Sequence, residues 1–191
     1  GISANFYTSF AMDSAGTFVL LPDVVGDVLN AYALPGGSLI ASLPVGDAPS
    51  HVDISRDDTA AVVSLLGTTD AAVFLSLSPG GAPTVLSTTP TGGGAPLDSQ
   101  IRISPDKTQA VAAAFNGVLF VDLVASSVLG YLPVGKVRDI EFTFDDQFVV
   151  LTSTTTRVIR LSDRAEVASL PLAPTYEAAI SPTSHRLVGL N

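Results

Sequence analysis

The stretch "LPVGKVRDIEFTFDDQFVVLT", residues 132–152, admits two readings. With Gly130 ahead of it, Gly135-Lys136 falls at the spacing of a phosphate-binding loop. Such a loop needs Ser or Thr after the Lys to hold magnesium, and a helix N-terminus facing the phosphates. Here Val137 follows, and then a strand-like pattern. In the other reading the stretch is one copy of something the chain repeats, and repetition decides the matter.

Ile140-Glu-Phe142-Thr-Phe-Asp145-Asp146 matches Val52-Asp-Ile54-Ser-Arg-Asp57-Asp58, Ile101-Arg-Ile103-Ser-Pro-Asp106-Lys107 and Ala178-Ala-Ile180-Ser-Pro-Thr183-Ser184. A weaker copy, Thr8-Ser-Phe10-Ala-Met-Asp13-Ser14, reads as carrying one extra residue in its turn. Anchored at 10, 54, 103, 142 and 180, the copies lie 44, 49, 39 and 38 residues apart. A second signal keeps step: Leu43-Pro-Val-Gly46, Thr89-Pro-Thr-Gly92, Leu132-Pro-Val-Gly135 and Leu170-Pro-Leu-Ala173 each precede a copy of the first. A third lies between them, in Val28–Leu34, Val73–Leu77, Val118–Leu123 and Val158–Leu161.

Each unit reads as four strands. Val, Ile, Thr and Phe are enriched, turn residues are frequent, and no segment shows helical periodicity with caps. Four-stranded units of about 40–45 residues are the signature of β-propeller blades. A blade packs against neighbours on both faces, so its middle strands should be continuous apolar runs, as in Ala110–Phe115 and Phe148–Leu151. A β-sandwich, whose strands alternate because one face meets water, is the alternative. The mean hydropathy of +0.46 agrees with burial on both faces. The expected fold is therefore all-β: a propeller of four-stranded antiparallel blades over 5–49, 50–97, 98–136 and 137–174, with two strands of a fifth over 175–191. All belong to a single domain, 1–191. A half-blade leaves an unpaired edge. It is expected to belong to a larger propeller, to pack elsewhere on a small four-bladed ring, or to be completed by a second chain.

Ile103-Ser-Pro-Asp-Lys-Thr108, Val118-Leu-Phe-Val-Asp122 and Leu132-Pro-Val-Gly135 resemble bacterial YVTN-type β-propeller repeats over nearly the whole chain. The Tyr-Val-Thr-Asn tetrad itself is replaced, for instance by Gln109-Ala-Val-Ala112, and there is no Trp. The resemblance implies a surface or secreted bacterial protein that binds partners, and a piece of a larger multi-blade protein.

Composition narrows the partners. The chain of 191 residues is 47% hydrophobic and 14% charged, with a net charge of −9 and two lysines, Lys107 and Lys136. Nucleic acid and anionic membranes, which need clustered cations, are poor partners. No stretch supplies the roughly 20 apolar residues of a membrane helix. Without cysteine there is no disulfide, thiol catalysis or thiolate metal site. No signal-like segment opens the chain at Gly1, so a targeting peptide is expected to be removed or to lie outside this sequence.

The chemical signals are sparse. Asp57-Asp58 and Asp145-Asp146 recur where a turn is required and lack the alternate spacing of calcium loops. Gly92-Gly93-Gly94 lies in a Ser/Thr/Pro-rich loop. The two histidines, His51 and His185, are too few for an all-histidine catalytic metal site, and neither Gly-x-Ser-x-Gly nor His-Glu-x-x-His occurs. No cofactor or metal is expected. His51 opens an inner strand near the mouth of the channel, and Arg102, Arg138, Asp139, Glu141 and Tyr176 lie at comparable positions in other blades. With Asp47 and Lys136 in the fourth-to-first connections, they form the candidate binding set. The expected role is a non-enzymatic, extracytoplasmic module for protein or glycan binding or for structural assembly. The alternatives are part of a lactonase-like propeller hydrolase acting through channel-mouth acids and His51, or a self-assembling subunit that associates through its open edge.

Overall fold

The computed structural model describes residues 9–67, 70–78, 81–90, 97–170, 177–180 and 187–190. These form eighteen strands and no helix. β1 (Ala11–Met12), β2 (Phe18–Asp23), β3 (Val28–Ala33) and β4 (Leu39–Pro44) make the first sheet. β5 (Pro49–Ile54) to β8 (Thr84–Pro90), with β6 (Ala60–Leu65) and β7 (Asp70–Ser76), make the second. β9 (Leu97–Ile103), β10 (Gln109–Ala114), β11 (Gly117–Asp122) and β12 (Ser127–Leu132) make the third. β13 (Asp139–Phe142), β14 (Phe148–Thr152), β15 (Thr156–Arg160) and β16 (Glu166–Leu170) make the fourth. β17 (Glu177–Ile180) and β18 (Leu187–Leu190) pair as a two-stranded sheet. Every pairing is antiparallel between strands consecutive in sequence, so each sheet is a simple meander, the form of a propeller blade.

The repeated motif is a turn with a fixed hydrogen-bond plan. In blades 2, 3 and 4 the turn occupies Ser55–Ala60, Ser104–Gln109 and Thr143–Phe148. The first residue's N–H donates to the sixth residue's carbonyl at 2.8–2.9 Å. The first residue's hydroxyl accepts from the sixth N–H at 3.0 Å and donates to the Asp at the third place, Asp57, Asp106 or Asp145. The fourth residue, Asp58, Lys107 or Asp146, is left-handed with φ near +57°, a conformation that Asp tolerates better than most residues. Asp57 and Asp145 are thus held within their own turns, whereas Asp58 and Asp146 accept from the turns of neighbouring blades, from Ser14 N and Asp106 N.

The same plan corrects the reading of the first copy. Asp13–Phe18 has the same length, with Gly16 at φ +67° in the fourth place. Asp13 combines both side-chain roles, accepting from Thr17 N at 2.7 Å and Phe18 N at 2.9 Å. There is no extra residue. Met12, and not Phe10, aligns with Ile54, Ile103 and Phe142, because each of these residues directly precedes the turn.

A second regularity was not foreseen. Each blade carries a bulge between its third and fourth strands at the same place, after Ala31, Phe74, Phe120 and Val158. The residue skipped in the outer strand is Ile40, Leu86, Leu129 or Val167, aliphatic every time. Such bulges raise the local twist of an outer strand.

Blade faces pack in succession. Phe18, Leu20 and Leu29 meet Ala61, Val63 and Leu75; Ala60, Val62 and Ala72 meet Ile101, Ala110 and Leu119; Val111, Ala113 and Phe120 meet Ile140, Val149 and Ile159. Middle strands such as β6 are buried along their whole length, on both faces. Each large aliphatic or aromatic side chain so buried contributes about 1.5–3 kcal/mol. The Leu-Pro-Val-Gly connections close the ends of these cores with buried Val45 and Val134, while Gly46 and Gly135 turn at φ +110° and +81°. The phosphate-loop reading of Gly135-Lys136 has no helix to rest on.

Candidate functional site

The inner strands β5, β9 and β13 lie side by side. Along each, residues alternate between the blade cores and the axis. Val52 and Ile54, Ile101 and Ile103, and Ile140 and Phe142 take the core side, buried except for the half-buried Ile54. The residues between them are polar. Register with the second strands places Asp53, Arg102 and Glu141 at one repeat position, and His51, Gln100 and Asp139 at the position two residues earlier.

Arg102 is the hub. Its Nη1 lies 3.6 Å from Asp53 Oδ1, and its Nη2 lies 3.8 Å from Asp139 Oδ1 and 3.9 Å from Glu141 Oε1. These distances are charge contacts and exceed hydrogen-bonding range. Its Nε donates to Ile140 O at 3.3 Å. Asp53 Oδ2 accepts from Ile103 N at 2.9 Å, and Gln100 Nε2 donates to Asp139 Oδ1 at 2.8 Å. Beside them an open cleft of about 300 Å³ is lined by Asp53, Arg56, Arg102 and Glu141 and by the apolar edges of Ile54, Ile103 and Phe142. At its rim the Arg56 guanidinium carbon stands 3.4 Å from the centre of the Phe144 ring, joining the turn of blade 2 to that of blade 4.

The electrostatics follow from crowding. Burial pushes Glu141 up to about 7; Arg102 opposes the rise, and Asp139 and Asp53 add to it. Asp53 is raised by burial against the pull of Arg102. His51 is lowered to about 4 by burial and by the Arg102 charge, so the imidazole is neutral at pH 7. At pH 7 the imidazole is therefore neutral and the Glu141 carboxyl about half protonated, both beside one guanidinium. The arrangement can exchange hydrogen bonds and charge with a polar ligand.

The candidate set divides. Arg102, Asp139 and Glu141 come together, with His51 close enough to feel the Arg102 charge. Asp47, Lys136 and Arg138 are exposed in the connections that enter the inner strands, whereas the cleft lies where those strands leave for their turns. Tyr176 lies outside the described residues, as do His185 and Gly92-Gly93-Gly94. Two cleft residues, Asp53 and Arg56, escaped the sequence reading, as did Gln100 beside Asp139. Asp53 and Gln100 carry a usable signal, since aligning the copies at Ile54, Ile103 and Phe142 stacks Asp53 on Arg102 and Glu141, and Gln100 on Asp139. Arg56 looks like an ordinary turn residue. Among the described residues no group of three or more His, Cys, Asp or Glu could hold a metal ion.

No protein-family model matches the chain, and no curated protein sequence does. In structure it is similar to hydrazine synthase of Kuenenia stuttgartiensis, with a TM-score of 0.72 and 20% sequence identity over 93% of this chain. The likeness covers 59% of that chain, so the protein spans less than two thirds of its neighbour's length. At this identity the likeness speaks for the fold alone. With the four meander sheets it shows the chain to be an all-β protein built of β-propeller blades.

Proposed function

We propose that the chain is a non-enzymatic propeller module of the YVTN kind, placed outside the cytoplasm, that binds a protein or glycan partner at the turn end of its inner strands. One observation carries the reading. Charged groups from three blades face an open cleft, yet the Arg102 guanidinium stands 3.6–3.9 Å from three carboxylate oxygens. Donors and acceptors in such an arrangement retain hydrogen-bonding capacity for a ligand. Aromatic and charged groups at the rim, Phe144 and Arg56, suit a sugar or peptide surface. The test is a panel of glycans and extracellular proteins presented to the immobilised chain. Binding lost in Arg102→Ala and kept in an Asp47→Ala/Lys136→Ala/Arg138→Ala variant supports the cleft. The reverse pattern moves the site to the connections, and binding kept in both variants refutes both sets.

A hydrolytic reading has one specific observation in its favour. A carboxyl titrating at about 7 matches the requirement of a general acid or base at neutral pH. It predicts turnover of lactones or esters that Glu141→Gln abolishes; wild-type protein that turns over none of them removes it.

A further inference from the structure

The Arg102 guanidinium is surrounded by carboxylates without being hydrogen-bonded to them. Its Nε donates to Ile140 O, which anchors the group. Among the described residues Nη1 and Nη2 make charge contacts only, at 3.6 Å to Asp53 Oδ1 and at 3.8 and 3.9 Å to Asp139 Oδ1 and Glu141 Oε1. Ile103 N engages Asp53 Oδ2 at 2.9 Å, and Gln100 Nε2 engages Asp139 Oδ1 at 2.8 Å, so both carboxylates are held in place. Asp139 is 6% exposed and stands behind the others. Arg102, Asp53 and Glu141 keep 33%, 21% and 29% of their side chains exposed, so these three are what a ligand in the cleft meets.

Spacing sets what fits among them. A nitrogen and an oxygen 3.6–3.9 Å apart are too distant to bond each other, yet one further oxygen at about 2.8 Å from each reaches both. That oxygen must accept from the guanidinium and donate to the carboxylate. A hydroxyl does both, whereas an ionised carboxylate cannot donate and an ammonium cannot accept. A hydroxyl also serves either form of Glu141, accepting from the acid and donating to the carboxylate. An anion in the cleft would sit against Asp53 and Glu141, and a cation against Arg102 and Arg56. The two ends of the planar fork face different carboxylates, so the match is to two adjacent hydroxyls. Ile54, Ile103 and Phe142 offer apolar edges to the C–H groups that carry them, and about 300 Å³ lies at the small end of ligand clefts. We propose that the cleft binds one ring of a neutral saccharide through a vicinal diol. One hydroxyl bridges Arg102 Nη1 and Asp53 Oδ1, and its neighbour bridges Nη2 and Glu141 Oε1. The proposal rests on the cleft reading above and commits it to a glycan.

The experiment is saturation-transfer NMR on the 191-residue chain with the methyl glycosides of glucose, galactose and mannose, then titration of the deoxy analogues of whichever binds. Removing either of two adjacent hydroxyls should weaken binding by about tenfold or more, because the Arg102 and carboxylate groups are left unpaired. Arg102→Lys keeps the charge and loses the fork, and should weaken the parent glycoside by about as much. Val124→Lys, at an exposed turn residue of blade 3, should bind as wild type does. Unchanged far-ultraviolet circular dichroism establishes that Arg102→Lys folds; if it does not, the deoxy series on wild type decides alone. The proposal is overturned if no glycoside binds, or if the deoxy series shows no two adjacent hydroxyls to be required. It is equally overturned if folded Arg102→Lys binds as wild type does, or if Val124→Lys loses as much. Should a protein partner then still bind in an Arg102-dependent way, the cleft reading stands and the saccharide alone falls. If nothing binds through Arg102, both fall.

Discussion

Glu141→Gln keeps the shape of the side chain and removes its ionisation. In the fold this carboxyl titrates at about 7, against an ordinary 4.5. Below pH 4.5 it is protonated in folded and unfolded chains alike and contributes nothing to stability. Between 4.5 and 7 the native state holds a proton that the unfolded chain has released, so stability falls as pH rises. Above 7 the full cost is present. The shift corresponds to roughly 3 kcal/mol, and because 29% of the side chain is exposed, solvent screening lowers that to about 2 kcal/mol. His51 slopes the other way. Its folded pKa of about 4 lies below the ordinary 6.5, so stability rises with pH across that window and masks part of the Glu141 effect in the wild type. The difference between wild type and Glu141→Gln isolates the carboxyl. Urea unfolding at constant ionic strength should show the two proteins alike near about pH 4 and the variant about 2 kcal/mol more stable near about pH 8, a midpoint higher by about 1 M. His51→Gln should steepen the fall of stability between 4.5 and 6.5. A flat difference curve, or a variant less stable at the alkaline end, would refute the reasoning: Glu141 would then be an ionised partner that Arg102 stabilises.

Two further outcomes test the frame. Gly117→Ala puts a Cβ about 2.1 Å from Leu132 O and 2.9 Å from the Tyr131 ring. The backbone must move, and thermal unfolding should fall by an amount equivalent to about 2 kcal/mol or more. Asp13→Ala leaves the Thr17 and Phe18 N–H groups without their acceptor. It should cost about 1–3 kcal/mol by urea unfolding, whereas Asp13→Ser, which restores the hydroxyl found in blades 2 and 3, should recover part of the loss.

The blade plan was legible because it is local and repeated. Each turn needs a short polar side chain at its first place and a residue tolerant of φ > 0 at its fourth, and both requirements leave marks in sequence. Phe10 misled because apolar character alone cannot tell a core position from an exposed one, and only the turn hydrogen bonds set the register at Met12. The bulges at Ile40, Leu86, Leu129 and Val167 were invisible because an inserted aliphatic residue looks like strand. The cleft was half legible. Arg102, Asp139 and Glu141 stood out as charges beside inner-strand apolar residues, while Asp53 passed for the polar half of an alternating pattern. What joined them was the lateral contact of strands 40 to 50 residues apart, which no local window contains.

Asp53, Arg102 and Glu141 hold one repeat position on opposite sides of charge. Their flanking core residues, Ile54, Ile103 and Phe142, are all apolar. Scaffold and chemistry are therefore written in separate registers of the same strand: odd steps secure the blade and even steps furnish the axis. An exchange of axial residues therefore alters the charge that faces the cleft and leaves the blade seams as indifferent to the change as a bookbinding is to the text.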